Sequence, residues 1–171
     1  MRSISKLLFL AVLVSAGSSG VIAQTEKQIT AIRADVKLID KSSSKYTKKE
    51  KDVDDISLEG ARATYFLSGK GLKKVVAKIY GETFRATAEI YYSGEEMIFA
   101  FQRLEKYDTH IATNPPPKVV KVIESRVYFS AGKAIRVIED KKTYAPGDSE
   151  FRAVEEAIND LSPKLKAALD Q

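Results

Sequence analysis

Three stretches decide the fold: Tyr65-Phe66-Leu67-Ser68-Gly69-Lys70, Tyr91-Tyr92-Ser93-Gly94-Glu95 and Tyr128-Phe129-Ser130-Ala131-Gly132-Lys133. Each holds an aromatic pair, a small or polar spacer and a glycine. Each is followed, three residues after that glycine, by an apolar side chain: Leu72, Met97 or Ile135. The second copy is one residue shorter before its glycine. Aromatic residues favour strand ends, where their rings pack across to a neighbouring strand. Glycine supplies the positive φ that tight hairpin connections need. Each stretch therefore predicts a β-hairpin.

Working outward, the flanking residues alternate as strands do. Ala86, Ala88, Ile90 and Tyr92 interleave with Thr87, Glu89 and Tyr91. Val119, Lys121, Ile123, Ser125, Val127 and Phe129 interleave with Val120, Val122, Glu124, Arg126 and Tyr128. Return strands are expected at Leu72 to Tyr80, Met97 to Leu104 and Ala134 to Glu139. Between the second and third hairpins, Pro115-Pro116-Pro117 has no N–H to give a ladder, so Tyr107 to Lys118 is a loop, or an exposed polyproline recognition segment.

The flanks are helical. Ile29, Ile32, Val36 and Ile39 share one helix face, with Thr25 as the expected N-cap and Ser42-Ser43-Ser44 as the stop. Phe151, Val154, Ile158 and Leu161 share another face behind a cap at Asp148 or Ser149. Ser162-Pro163 reads as a fresh cap with proline at the first helical position, starting a second short helix through Leu165, Ala168 and Leu169. Residues 41–55, KSSSKYTKKEKDVDD, read as a mobile polar loop. The expected fold class is α+β: an antiparallel β-meander of about six strands (three hairpins) with an N-terminal helix and C-terminal helices, closing one core.

The hairpin segments resemble those of secreted bacterial β-meander proteins with MORN-like hairpin units, over roughly residues 58–140. The resemblance carries over no catalytic residue.

Residues 1–23 have the layout of a secretory signal peptide. Arg2 and Lys6 precede an apolar run from Leu7 to Val14, small residues follow, and cleavage is expected after Ala23. The run is about half the ~20 apolar residues a spanning helix requires. The expected destination is therefore secreted or periplasmic, with residues 24–171 as a single domain and no transmembrane span after cleavage. The leader carries two of the positive charges in a net charge of +5. The excess left is too modest to point to nucleic acid.

Composition excludes several chemistries. With no Cys and one His, the chain of 171 residues has no disulfide, thiolate nucleophile, Cys-based zinc site or two-histidine site. His110 stands at the edge of the proline loop without a nucleophile elbow elsewhere. Asp52, Asp54 and Asp55 lack the central glycine of an EF-hand loop. Gly69 and Gly71 stand in a hairpin, so they form no phosphate-binding loop. No catalytic residue, metal or cofactor is expected.

The candidate ligand-binding residues are Tyr65, Tyr91 and Tyr128. In-register hairpins would align them as a platform for a peptide or sugar, or as a layer beneath the helices. The expected function is a non-catalytic binding or accessory protein of the cell envelope, its partner a protein, peptide or glycan. The alternatives are a hydrolase using the strand carboxylates Glu89, Glu105 and Glu124, and a periplasmic enzyme inhibitor inserting its proline loop.

Overall fold

Each of the three stretches closes a hairpin through a two-residue turn, at Gly69-Lys70, Gly94-Glu95 and Ala131-Gly132. Gly69 and Gly94 have φ of 59° and 61°, and Ala131 and Gly132 have 49° and 75°, the left-handed values that match the twist of the strands. The computed structural model describes residues 18–171. Helix α1 (Ser18–Ser42) leads through a 3-10 turn (Ser43–Lys45) into β1 (Thr47–Val53), β2 (Ala61–Ser68), β3 (Gly71–Gly81) and β4 (Phe84–Ser93). Then come β5 (Glu96–Tyr107), β6 (Val119–Ser130), β7 (Lys133–Glu139), β8 (Lys142–Tyr144) and α2 (Ser149–Asp170). The strands form one antiparallel sheet in sequence order.

Several expectations are corrected. The meander has eight strands, not about six, because β1 and β8 extend it at its two edges. Residues 47–53, expected in a mobile loop, form β1 and pair one-to-one with β2 from Thr47↔Leu67 to Val53↔Ala61. Only Val53 of β1 is buried, so backbone pairing rather than apolar alternation makes this strand. The C-terminal helices are one helix. Pro163 lies inside α2, where its missing N–H costs about 3 kcal/mol. Buried Ile158, Leu161 and Leu165 on both sides of it hold the helix through that point. Ser162 does not cap a new helix; its hydroxyl shares a 2.8 Å hydrogen bond with Tyr92. Helix α1 starts before Thr25. The leader expected at residues 1–23 lies outside the described residues as far as residue 17, and residues 18–23 open α1.

The helices lie on opposite faces of the sheet. On one face α2 packs on Tyr65, Val75, Ile90, Tyr92, Phe129 and Val137, over a floor of buried alanines at 61, 63, 77, 86, 88 and 100. α2 touches both β1 and β7, near opposite ends of the sheet, so the sheet curls around it. The polar contacts of α2 show the same curvature. Glu155 accepts from Ala134 N on β7, and Leu165 O accepts from Tyr65 on β2. Ten residues of helix reach about 15 Å, while five inter-strand spacings measured along a sheet are about 24 Å. The helix is the chord of an arc.

On the convex face, α1 crosses the strands. Glu26 pairs with Arg136 of β7 at 2.6 Å, and Asp40 pairs with Lys74 of β3 at 2.9 Å. The fourteen residue steps from Glu26 to Asp40 rise about 21 Å. Four inter-strand spacings are about 19 Å, so a straight helix fits.

Leu165 is fully buried between α2 and the concave sheet. Leu165→Ala is expected to lower unfolding stability by about 2–5 kcal/mol. Leu38→Ala, at a side chain 62% exposed, should change it by less than about 0.5 kcal/mol. Urea unfolding of the two variants checks both values.

Candidate functional site

Strand register sorts the predicted tyrosines onto two faces. Tyr91 pairs with Phe99 and Lys74, and Phe99 pairs with Tyr128. Tyr65 lies opposite Val75, and Val75 opposite Ile90, on the face that α2 covers. The three tyrosines therefore do not form one row. Counted back from the turn, the residue equivalent to Tyr91 and Tyr128 is Phe66, two positions before a serine that closes each strand (Ser68, Ser93, Ser130). Tyr65 is one residue out, and a one-residue step changes the face.

The convex-face row reads Lys48, Phe66, Lys74, Tyr91, Phe99, Tyr128, Arg136 across β1 to β7. Cations and aromatic rings alternate along much of it. Lys48 sits 5.3 Å over the Phe66 ring and Lys74 4.6 Å over the Tyr91 ring. Phe99 makes tilted ring contacts with Tyr91 at 5.7 Å and Tyr128 at 5.0 Å. Such pairs contribute about 0.5–1.5 kcal/mol each beyond their area.

Lys74 is the polar centre of the row. Its Nζ donates to Asp40 at 2.9 Å and to Tyr91 Oη at 2.7 Å, and lies 2.6 Å from Glu89. All three ammonium protons have partners. The Tyr91 hydroxyl faces Glu89 at 2.8 Å and Asp40 at 3.1 Å. Burial first, then these two carboxylates, raise the Tyr91 pKa well above the usual phenol value. Tyr91 is a donor here and cannot serve as a base. On the other face, burial raises Tyr65 and Tyr92 to about 12. Tyr65 donates to Leu165 O at 2.8 Å, which makes it a core residue rather than a surface ligand contact.

Between α1 and this row opens a cleft of about 280 Å3, lined by Arg33, Val36, Lys37, Asp40, Phe99 and Tyr128. Phe99 and Tyr128 form its floor, and Arg33 Nε donates to Tyr128 Oη at 3.2 Å with its guanidinium 5.5 Å over the ring. Among the described residues, Arg33 and Lys37 have no carboxylate partner, whereas the five sheet arginines at 62, 85, 103, 126 and 136 all do. Like charges one turn apart weaken an isolated helix by a few tenths of a kcal/mol, roughly. Reasoning from the sequence missed Arg33, Lys37, Asp40, Lys74 and Phe99. The signals were the cation pair at i, i+4 on an otherwise mixed helix, and the serine that marks each strand end.

The strand carboxylates are already engaged. Glu89 meets Lys74, Glu105 meets Arg85 at 2.6 Å and Arg103 at 3.1 Å, and Glu124 meets Arg103 at 3.1 Å and Arg126 at 3.0 Å. They stand on the convex face, side by side with their cations across neighbouring strands. The proline loop is exposed and tied back by Ile111 N to Glu82 O at 2.7 Å. His110 accepts from Ala112 N at 3.0 Å inside that loop. Among the described residues no cluster of three His, Asp or Glu groups is placed to hold a metal ion, and no helix is long and apolar enough to cross a membrane. Compared with known protein families, curated proteins and solved structures, the chain matches none.

Lys74→Met leaves Glu89, Asp40 and Tyr91 facing one another without their cation, and should lower stability by about 2 kcal/mol. Tyr91→Phe, which removes one hydroxyl and spares the ion pairs, should cost about 1 kcal/mol. Chemical denaturation at neutral pH separates the two. The hydrogen bond from Arg85, then that from Arg103, holds the Glu105 carboxyl below its ordinary 4.5. A lowered folded value adds stability above the unfolded value, and that stability is lost as pH falls through the folded one. The stability difference between the wild type and Glu105→Gln should therefore shrink steadily as pH drops below 4.5, read from denaturation midpoints across an acid series.

Proposed function

We propose that the chain is a non-catalytic binding or accessory protein of the cell envelope, secreted or periplasmic, and that its ligand is taken up in the cleft beneath α1. The observation that carries this reading is the pair Arg33 and Lys37, left without carboxylates among the described residues where they line the cleft with Phe99 and Tyr128. The five arginines of the neighbouring sheet and its buried Lys74 are paired with carboxylates. A concave recess with an aromatic floor and a few convergent polar groups is the ordinary form of a small-ligand site. The non-catalytic part of the reading is supported by the engagement of Glu89, Glu105 and Glu124. A general acid must hold its proton near neutral pH, and neighbouring arginines push the Glu105 carboxyl the other way. The address is supported by the leader pattern of residues 1–23. A partner peptide or glycan of the envelope is the class that reaches such a protein.

Val36→Trp tests the reading, because Val36 lines the cleft on α1 and is only half-buried. An envelope extract, fractionated and screened by thermal shift, should contain a component that raises the wild-type Tm by about 5 °C or more at saturation. That component should leave Val36→Trp unmoved. A component that shifts both proteins equally, or a complete screen with no shift, would sink the reading. Turnover of that component by the wild type, lost in a Glu105→Gln, Glu124→Gln double variant, would favour the hydrolase instead.

A further inference from the structure

We infer that the cleft beneath α1 takes an acidic sugar, a single pyranose ring bearing a carboxylate; this deepens the binding reading and rests on it. Size comes first. At about 280 Å3 the cleft is at the small end of ligand pockets, which start near roughly 300 Å3, so it encloses one ring at a time. Charge comes next. Arg33 offers guanidinium N–H groups beyond the one given to Tyr128, and Lys37 offers its whole ammonium group. A carboxylate set between them gains charge-assisted hydrogen bonds and removes the repulsion between two cations one helical turn apart.

The remaining lining residues define the rest of the ligand. Phe99 and Tyr128 are tilted at 54° to each other, and Tyr128 is buried with Arg33 over its ring, so half-buried Phe99 supplies the apolar surface and no slot opens for a second aromatic ring to stack in. The C–H face of a sugar lies against Phe99. Asp40 stands at the far end, and Lys74 and Tyr91 already occupy it from the sheet side. Its carboxylate is 47% exposed and retains acceptor capacity for a ligand hydroxyl. Arg33, Lys37 and Asp40 are all exposed to water. A bound ring therefore keeps its outer face hydrated, which a polyhydroxylated molecule tolerates and an aryl group does not.

The experiment is an NMR titration of the protein with galacturonate, glucuronate, glucose and benzoate. The uronates should shift amide signals of α1 and β5–β6, and glucose should bind at least about tenfold more weakly, the factor that corresponds to one lost charge-assisted contact. Uronate affinity should fall as salt is raised from low ionic strength, because the contact is solvent-exposed. The double variant Arg33→Gln, Lys37→Gln lies at exposed positions and leaves the apolar packing of α1 in place. It should retain the wild-type circular dichroism and lose uronate binding. Equal binding of glucose, tighter binding of benzoate, no uronate shift at any salt, or unchanged binding by the double variant would each overturn the inference. A neutral ligand excluded by Val36→Trp would overturn this inference while leaving the binding reading intact.

Discussion

Everything on the convex face depends on three β-bulges. Each hairpin carries one, and each bulge places a single extra residue on the return strand: Lys73 between partners of Phe66 and Leu67, Ile98 between those of Tyr91 and Tyr92, and Ile135 between those of Tyr128 and Phe129. An extra residue twists the strand and shifts which side chains face which layer. The result is that Lys74, Phe99 and Arg136 stand directly opposite Phe66, Tyr91 and Tyr128. Ile98 and Ile135, the bulge residues of the second and third hairpins, lean on the apolar cluster of Ile29 and Ile32 from α1. The same local device, used three times, produces both the row and the surface on which α1 sits.

The two helices are held by different physics, and the curvature of the sheet explains why. α2 lies in the trough, where small alanines let it approach and a continuous apolar cluster surrounds it. Few polar contacts are needed there, and two of them are hydrogen bonds of the buried phenols Tyr65 and Tyr92, which would otherwise lack partners. α1 lies on the outside of the bend, where a straight rod touches a convex surface only along a short line. Its buried apolar residues are Ile29, Ile32 and Ile39, with Val36 half-buried among them. Side-chain pairs fix the helix alongside them, from Glu26 with Arg136 and Gln28 with Ser130 to Asp40 with Lys74. A rod on a convex surface leaves gaps, and the cleft at Arg33 and Lys37 is one of them.

The hairpins were legible because turn chemistry is local: glycine and the aromatic pair announce themselves within six residues. Their phase was not. Anchoring the comparison on the aromatic pair places Tyr65 with Tyr91 and Tyr128, whereas anchoring it on Ser68, Ser93 and Ser130 places Phe66 there. β1 escaped notice because an edge strand on a charged surface has no apolar face to alternate with; only Val53 reports its burial. The single C-terminal helix was hidden by Pro163, a local stop signal overridden by the tertiary packing of Leu161 and Leu165. The site itself joins residues from α1 to others far along the chain in β3, β5 and β6. No spacing rule connects Arg33 with Tyr128, so the cleft was invisible until the topology brought them together.

The edge strand β1 has a meaning for the molecule among its own copies. A sheet whose outer strand is long, flat and apolar invites a second sheet to continue it. β1 is long enough for that, yet five of its seven residues are charged and only Val53 is buried, and lysines along an edge blunt its pairing with another sheet. At the other end β8 spans only three residues, too little ladder for another strand to grip. The meander therefore stops growing for two unrelated reasons, charge at one margin and brevity at the other. An open sheet of eight strands is in this way guarded at both margins without closing into a barrel.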